Sequence, residues 1–382
     1  MRLLHFSDIH IGMENYAKLD PQTGLSTRLL DFFNTFDFIV EKAISENVDA
    51  VVFAGDAYKS RDPNPTQQRG FGERIAKIAK KIPVVLVVGN HDTPNAEGKA
   101  NTLDIYSALE IDNVWVSRTP EYLEIPTKSG TLQIVTLPWL HKNDYKTAGD
   151  KLQLLYNKIK PSSPAIFLSH CEVEGASYGS EKGLAIANDV TIPLPLLQDK
   201  RLSYVALGHI HKHQVLSKDP LIVYSGSPQR IDFGEEKEEK GICLVEIEKS
   251  GQAKFQFIPT GARKFLTIVV DLKGNDQDPT KTIIDSIEKH DVTDKIVRVI
   301  INIPAECDKE IQMDKIKKSL VKANYIAGIS RNVERVERIK FDGSEEVERL
   351  TPLEALRKYF EFKKIDPKKQ KEIEQFAAQI LE

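Results

Sequence analysis

Leu3-Leu4-His5-Phe6-Ser7-Asp8-Ile9-His10 is an apolar run that ends on an aspartate and a histidine. A run of this kind reads as a buried strand, with its polar residues collecting where the strand stops. Four further segments repeat the pattern. Residues 50–53 lead to Gly55-Asp56, residues 84–88 to Gly89-Asn90-His91-Asp92, residues 165–168 to Ser169-His170, and residues 204–207 to Gly208-His209-Ile210-His211. Strands of an α/β sheet end along one edge, and sites form there. Asp8, His10, Asp56, Asn90, His170, His209 and His211 would then surround one point as the ligands of a two-metal hydrolytic centre.

The residue types fit that chemistry. A carboxylate can bridge two cations, and two cations roughly 3.5–4 Å apart clamp the attacking and leaving oxygens of a phosphoryl displacement. Carboxylate, amide and imidazole ligands together favour Mn²⁺ or Fe²⁺, with Zn²⁺ also suited, over the all-oxygen sites preferred by Mg²⁺. Two divalent ions are expected, Mn²⁺ first among them. His91 and Asp92 form the expected catalytic pair. Asp92 would orient His91, and His91 would protonate a leaving oxygen or stabilise phosphate charge.

The order D-x-H, GD, GNHD, H, GHxH resembles the calcineurin-like metallophosphoesterase superfamily. That resemblance implies one metal on Asp8, His10, Asp56 and His211. The other would lie on Asp56, Asn90, His170 and His209, with Asp56 bridging. Residues 55–63, 175–181 and 224–235 further resemble the loops of SbcD-type nuclease subunits. This implies a metal-dependent DNA nuclease, exonuclease on double strands and endonuclease on single strands, active in repair and recombination. It also implies a homodimer that joins an SbcC-like, SMC-family ATPase in a heterotetramer. Many members place a histidine three residues after the bridging aspartate; this chain has Lys59. A lysine offers charge to a phosphate but cannot shuttle protons near neutral pH unless its pKa falls far.

Formal net charge is −3, which is not the balance of a protein that holds nucleic acid by bulk charge. Affinity for DNA must come from metals, a partner or local groups. Lys59, Arg61 and Arg230 are the candidate phosphate contacts, with Gln67, Gln68 and Arg69 behind them. No apolar run approaches the roughly 18–20 residues of a membrane span, and Arg2 falls too early for a signal-peptide core. The cysteines at 171, 243 and 307 lack zinc spacing. A reduced cytoplasmic setting is expected, with Cys171 a bystander to His170. His5 reads as a core histidine, His213 and His290 as surface residues, and His141 has no motif support. The charge run at 234–240 reads as a solvated loop.

Periodicity predicts helices over 27–47, 66–81, 100–109 and 145–160. With the strands these make an α/β/β/α sandwich over residues 1–260. A hinge at 260–264 leads to a β-α-β-α-β unit over 261–342, read as a small α+β domain that the resemblance makes a DNA cap. Residues 343–382 hold a polar link and two amphipathic helices. Thr351-Pro352-Leu353-Glu354 is a strong helix start. These helices either pack on the body or grip the ATPase, as the resemblance implies. The helices at 66–81 and 100–109 are the candidates for a dimer contact. A phosphomonoesterase or cyclic-nucleotide phosphodiesterase would use the same metals but leave the later units without a role. A non-catalytic scaffold would have lost ligands, and none is missing.

Overall fold

The computed structural model describes all residues except 95, 97, 141–147, 180–189, 306–309, 335–350, 364 and 382. His141, Tyr145, Ser180, Glu181, Cys307 and the polar link after Glu334 therefore lie outside the described residues, as do the side chains of Ile380 and Leu381.

The strands in chain order are β1 Arg2–Phe6, β2 Ala50–Phe53, β3 Val84–Val87, β4 Val114–Ser117, β5 Glu121–Thr127, β6 Gly130–Leu137, β7 Ala165–His170, β8 Glu172–Val173, β9 Thr191–Ile192 and β10 Tyr204–Gly208. They continue with β11 Gln214–Lys218, β12 Leu221–Tyr224, β13 Gly241–Ile247, β14 Ala253–Pro259, β15 Phe265–Asp271, β16 Ile296–Ile303 and β17 Tyr325–Val333. One six-stranded sheet has the order β14-β13-β1-β2-β3-β4 and a second has β11-β12-β10-β7-β6-β5. Within them β1, β2, β3 and β4 run parallel, as do β6, β7, β10 and β12. Parallel strands end on the same side, which brings the five motif segments to a common edge.

Alternation builds the layers. Leu4, Phe6, Val51, Phe53, Val84 and Leu86 face helices α1 (Thr27–Ser45) and α2 (Pro65–Ala79). Leu3, Val52, Val85 and Val87 point the other way, against Ile134, Ile166, Leu168 and Ala206 of the second sheet. The outer face of that sheet packs Phe167, Val205 and Leu207 with Leu152 and Tyr156 of the Ala148–Tyr156 helix. The α/β/β/α sandwich is thus the observed fold. His5 lies between the sheets, its Nδ1 2.8 Å from the Tyr204 hydroxyl.

One expected helix is shortened, and α2 lacks the large exposed apolar residues expected of a dimer contact. The one expected over 100–109 is confined to Asp104–Ala108, because Asn101 Oδ1 accepts from the Leu103 and Asp104 amides and turns the backbone first. Helix α2 keeps Phe71, Ile75 and Ile78 buried, so it offers no large apolar residue to a partner. The exposed apolar side chains near this edge are Ile105 and Leu109.

Strands β15, β16 and β17 form a separate three-stranded sheet, parallel throughout, with helices Pro279–Glu288 and Met313–Ser319 in the crossovers. Parallel pairing through helical crossovers makes this an α/β unit, and corrects the α+β reading. It joins the sandwich through Phe233, Phe265 and Ile296, and through Arg263, whose guanidinium donates to both Asp31 oxygens at 2.7 and 2.6 Å. The last two helices are Pro352–Lys363 and Pro367–Leu381. The first begins on the expected capping box, with Thr351 and Glu354 exchanging hydrogen bonds. Phe360 is buried, whereas Tyr359, Ile373 and Phe376 stay exposed.

Candidate metal centre

The expected ligands converge. Asp8 and His10 follow β1, Asp56 follows β2, Asn90 follows β3, His170 ends β7, and His209 and His211 follow β10. The backbone is bent to bring them there. Asp8, His10, Asp56 and His209 all have positive φ, at 52°, 47°, 62° and 96°. Non-glycine residues rarely adopt that region, and such strain gathers at functional sites. Two glycines let the loops close. A Cβ on Gly89 would collide with the Asp56 carboxylate, and one on Gly208 with the Ala54 carbonyl.

Two groups of side-chain atoms face each other across Asp56. In the first, His10 Nε2 lies 3.0 Å from His211 Nε2 and 3.5 Å from Asp56 Oδ2, and Asp8, His10 and His211 form one close set. In the second, His170 Nε2 lies 2.8 Å from Asn90 Oδ1 and 3.5 Å from Asp56 Oδ2, with His209 Nδ1 3.2 Å from the same Asn90 oxygen. One Asp56 oxygen therefore borders both groups.

Tautomers decide what these groups can hold. His170 Nδ1 donates to the Ala54 carbonyl at 2.7 Å, so its Nε2 presents a lone pair to the Asn90 oxygen. His211 Nδ1 donates to Glu235 Oε1 at 2.8 Å, so its Nε2 presents a lone pair towards His10. A lone pair facing an acceptor calls for a proton or a metal ion between them. The electrostatics agree. Burial works against charge on Asp56, yet His170, His91 and His10 hold its carboxyl well below the usual range. Burial alone would lower His170, but facing Asp56 and Asp8 it rises to about 9. The carboxylates thus call for positive charge at this point, from a proton or a metal. Nitrogen and carboxylate donors suit a divalent transition metal.

The catalytic pair is arranged differently from expectation. Asp92 does not orient the His91 ring. Its carboxylate accepts the backbone N–H groups of Asp56, Ala57 and Gly89, each at 3.0 Å, and staples the second and third motif loops together. The His91 ring is set instead by the Lys59 carbonyl, which accepts from Nδ1 at 2.7 Å. His91 is half-buried, edge-on to His10 at 4.9 Å between centroids, with Nε2 left for chemistry.

The candidate phosphate contacts divide. Lys59 and Arg61 are exposed beside the His91 loop. Arg61 braces that loop by donating to the Thr93 and Asn90 carbonyls. Arg230 does not face the site. It is buried, and donates to the carbonyls of Ala262, Arg263 and Glu238. Gln67 caps α2 through Asn64, and Gln68 donates to the Pro63 carbonyl, so both serve the helix start.

The charge run is also corrected. Glu235 and Lys240 are fully buried and paired at 2.9 Å. Burial opposes charge on Glu235, but Lys240 and His211 hold it down at about 2. A sequence signal existed only in the alternation of acidic and basic residues, which a solvated loop would share.

A family model for calcineurin-like phosphoesterases matches residues 1–213. The chain is 26% identical over 280 residues to SbcD of the Bacillus subtilis nuclease SbcCD, covering 67% of this chain and 68% of that protein. It is 28% identical over 256 residues to the DNA double-strand break repair protein Mre11 of Sulfurisphaera tokodaii, covering 64% and 59%. The Mre11 protein of Saccharolobus solfataricus is 26% identical over 345 residues, covering 86% and 80%. The chain thus spans less than two thirds of the second relative's own length and more of the first and third. Among the described residues no helix is long and apolar enough to cross a membrane.

Proposed function

The chain belongs to the calcineurin-like phosphoesterase family and is a metal-dependent phosphoester hydrolase, and we propose that its substrate is DNA. The observation that carries the metal centre is the pair of acceptor clusters sharing Asp56. The choice of DNA rests on similarity to SbcD and Mre11 proteins, which in one case covers 86% of this chain, well beyond the metal-binding part. A small phosphate ester would need only the sandwich. We place the activity as exonuclease on duplex ends and endonuclease on single strands, in a cytoplasmic, nucleoid-associated role.

Asp8, His10, Asp56 and His211 would hold one ion, and Asp56, Asn90, His170 and His209 the other. Bound divalent ions would polarise the phosphate and activate the attacking water. The protein's own part is orientation. Ala54 and Glu235 fix the tautomers of His170 and His211. Asp92 fixes the loops that carry Asp56 and Asn90. His91, held at Nδ1 by Lys59, would present Nε2 to the leaving oxygen and supply its proton. Lys59 and Arg61, at the rim, would meet the flanking phosphates.

The test is digestion of end-labelled DNA. EDTA is expected to abolish cleavage, and Mn²⁺ to restore it better than Mg²⁺, because imidazole ligands suit Mn²⁺. Full activity after exhaustive chelation would sink this reading. Turnover of a small aryl phosphate with no action on DNA would favour a phosphomonoesterase.

For partners, we propose a homodimer through the exposed Ile105 and Leu109, and an SbcC-like ATPase on the C-terminal helices. Tyr359, Ile373 and Phe376 offer apolar surface suited to a coiled-coil groove. Deleting residues 351–382 should leave metal binding and single-strand cleavage nearly intact while abolishing co-purification with the ATPase. A truncated chain that binds the ATPase at full strength would remove these helices from the interface.

A further inference from the structure

Resting on the metal-centre reading above, we propose that Glu235 is a positioning residue for His211, and that its turn couples the metal centre to the three-stranded unit. Glu235 is wholly buried. Its Oε1 accepts from His211 Nδ1, and its Oε2 accepts from the Ile231 amide and pairs with Lys240 Nζ, both at 2.9 Å. Lys240 Nζ donates in turn to the His211 carbonyl at 3.2 Å and to Ser227 Oγ at 3.0 Å. One buried ion pair therefore grips both the ring and the backbone of a candidate ligand. Such a partner keeps the metal-facing nitrogen unprotonated and the ring in place.

The adjacent residue faces the other way. Glu236 accepts from the Thr267 amide at 2.8 Å and from the Thr267 hydroxyl, on β15. Arg298, on β16, donates to that hydroxyl at 2.8 Å and lies 4.3 Å over the Phe233 ring. Phe233 meets Phe265 edge-on at 4.9 Å. Residues 233–236 thus touch the metal centre on one side and the three-stranded unit on the other. A displacement of that unit reaches the His211 clamp through a single peptide link. Contiguous packed and hydrogen-bonded groups of this kind carry coupling between sites.

The test is calorimetric Mn²⁺ titration of the metal-stripped full chain, with thermal melting alongside. Glu235→Gln keeps the volume and is expected to weaken one of the two Mn²⁺ sites about 10–100-fold. Glu236→Ala touches no ligand and is expected to weaken the same site roughly 2- to 30-fold. Lys237→Ala, on an exposed neighbour, serves as the control. A Glu235→Gln chain with unchanged Mn²⁺ affinity would overturn the positioning role. A Glu236→Ala chain matching the control would overturn the coupling. Equal weakening of both sites with a lowered melting temperature would mark a merely structural role and count against both. Should Glu235→Gln fail to fold, Glu235→Asp, which keeps the charge but shortens the reach to His211, decides the positioning role by the same loss of affinity at one site, and the half-buried Glu236 decides the coupling. An unmodified chain that takes up no Mn²⁺ would instead refute the metal-centre reading itself.

Discussion

Asp56→Ala is expected to bring DNA cleavage down to background and to strip the chain of both metals. Asp56 is 2% exposed, and its Oδ2 lies 3.5 Å from His10 Nε2 and from His170 Nε2. Its Oδ1 accepts the His91 amide at 2.9 Å. One side chain therefore borders both ligand groups and anchors the loop of the proposed proton donor. Removing it leaves buried imidazoles facing each other without the anion that both groups share, which is costly. The fall should exceed the ~10²–10⁴-fold that loss of one proton donor brings. Elemental analysis after dialysis against Mn²⁺, together with end-labelled digestion, checks it. A variant that kept two metals per chain would contradict the bridging role.

His91→Ala is expected to separate binding from chemistry. The side chain sits at the rim, held by the Lys59 carbonyl, and its backbone N–H donates to Asp56. Metal content should stay at the wild-type level while cleavage drops ~10²–10⁴-fold. His91→Asn would test the same point with a polar replacement that cannot donate a proton as an acid. Activity equal to wild type in either variant would assign the proton to another group. Loss of metal in both would make His91 a ligand alongside His10 and Asp56, its close neighbours.

Much of this site was legible because strand-end motifs place chemistry by topology. Once β1, β2 and β3 run parallel in one sheet, and β7 and β10 in the other, seven ligand-type residues must share an edge. What the sequence hides is which atom each group serves. Asp92 next to His91 looks like a carboxylate orienting an imidazole, yet its oxygens are filled by three backbone amides. Arg230 looks like a phosphate contact, but its guanidinium ties residues 262 and 263 to the sandwich. Glu235 and Lys240 look solvated until their mutual pairing permits burial. The same holds for the short Asp104–Ala108 helix, where a local side-chain turn at Asn101 overrides the apolar period. Each miss is a choice between local partners, and composition and spacing do not rank those partners.

If the edge shared by the two sheets holds two metals around Asp56, anomalous diffraction from crystals grown with Mn²⁺ shows them directly. The account predicts two peaks roughly 3.5–4 Å apart. One should lie among Asp8, His10 and His211, the other among Asn90, His170 and His209, with the Asp56 carboxylate between them. A single peak, or peaks away from Asp56, would contradict it.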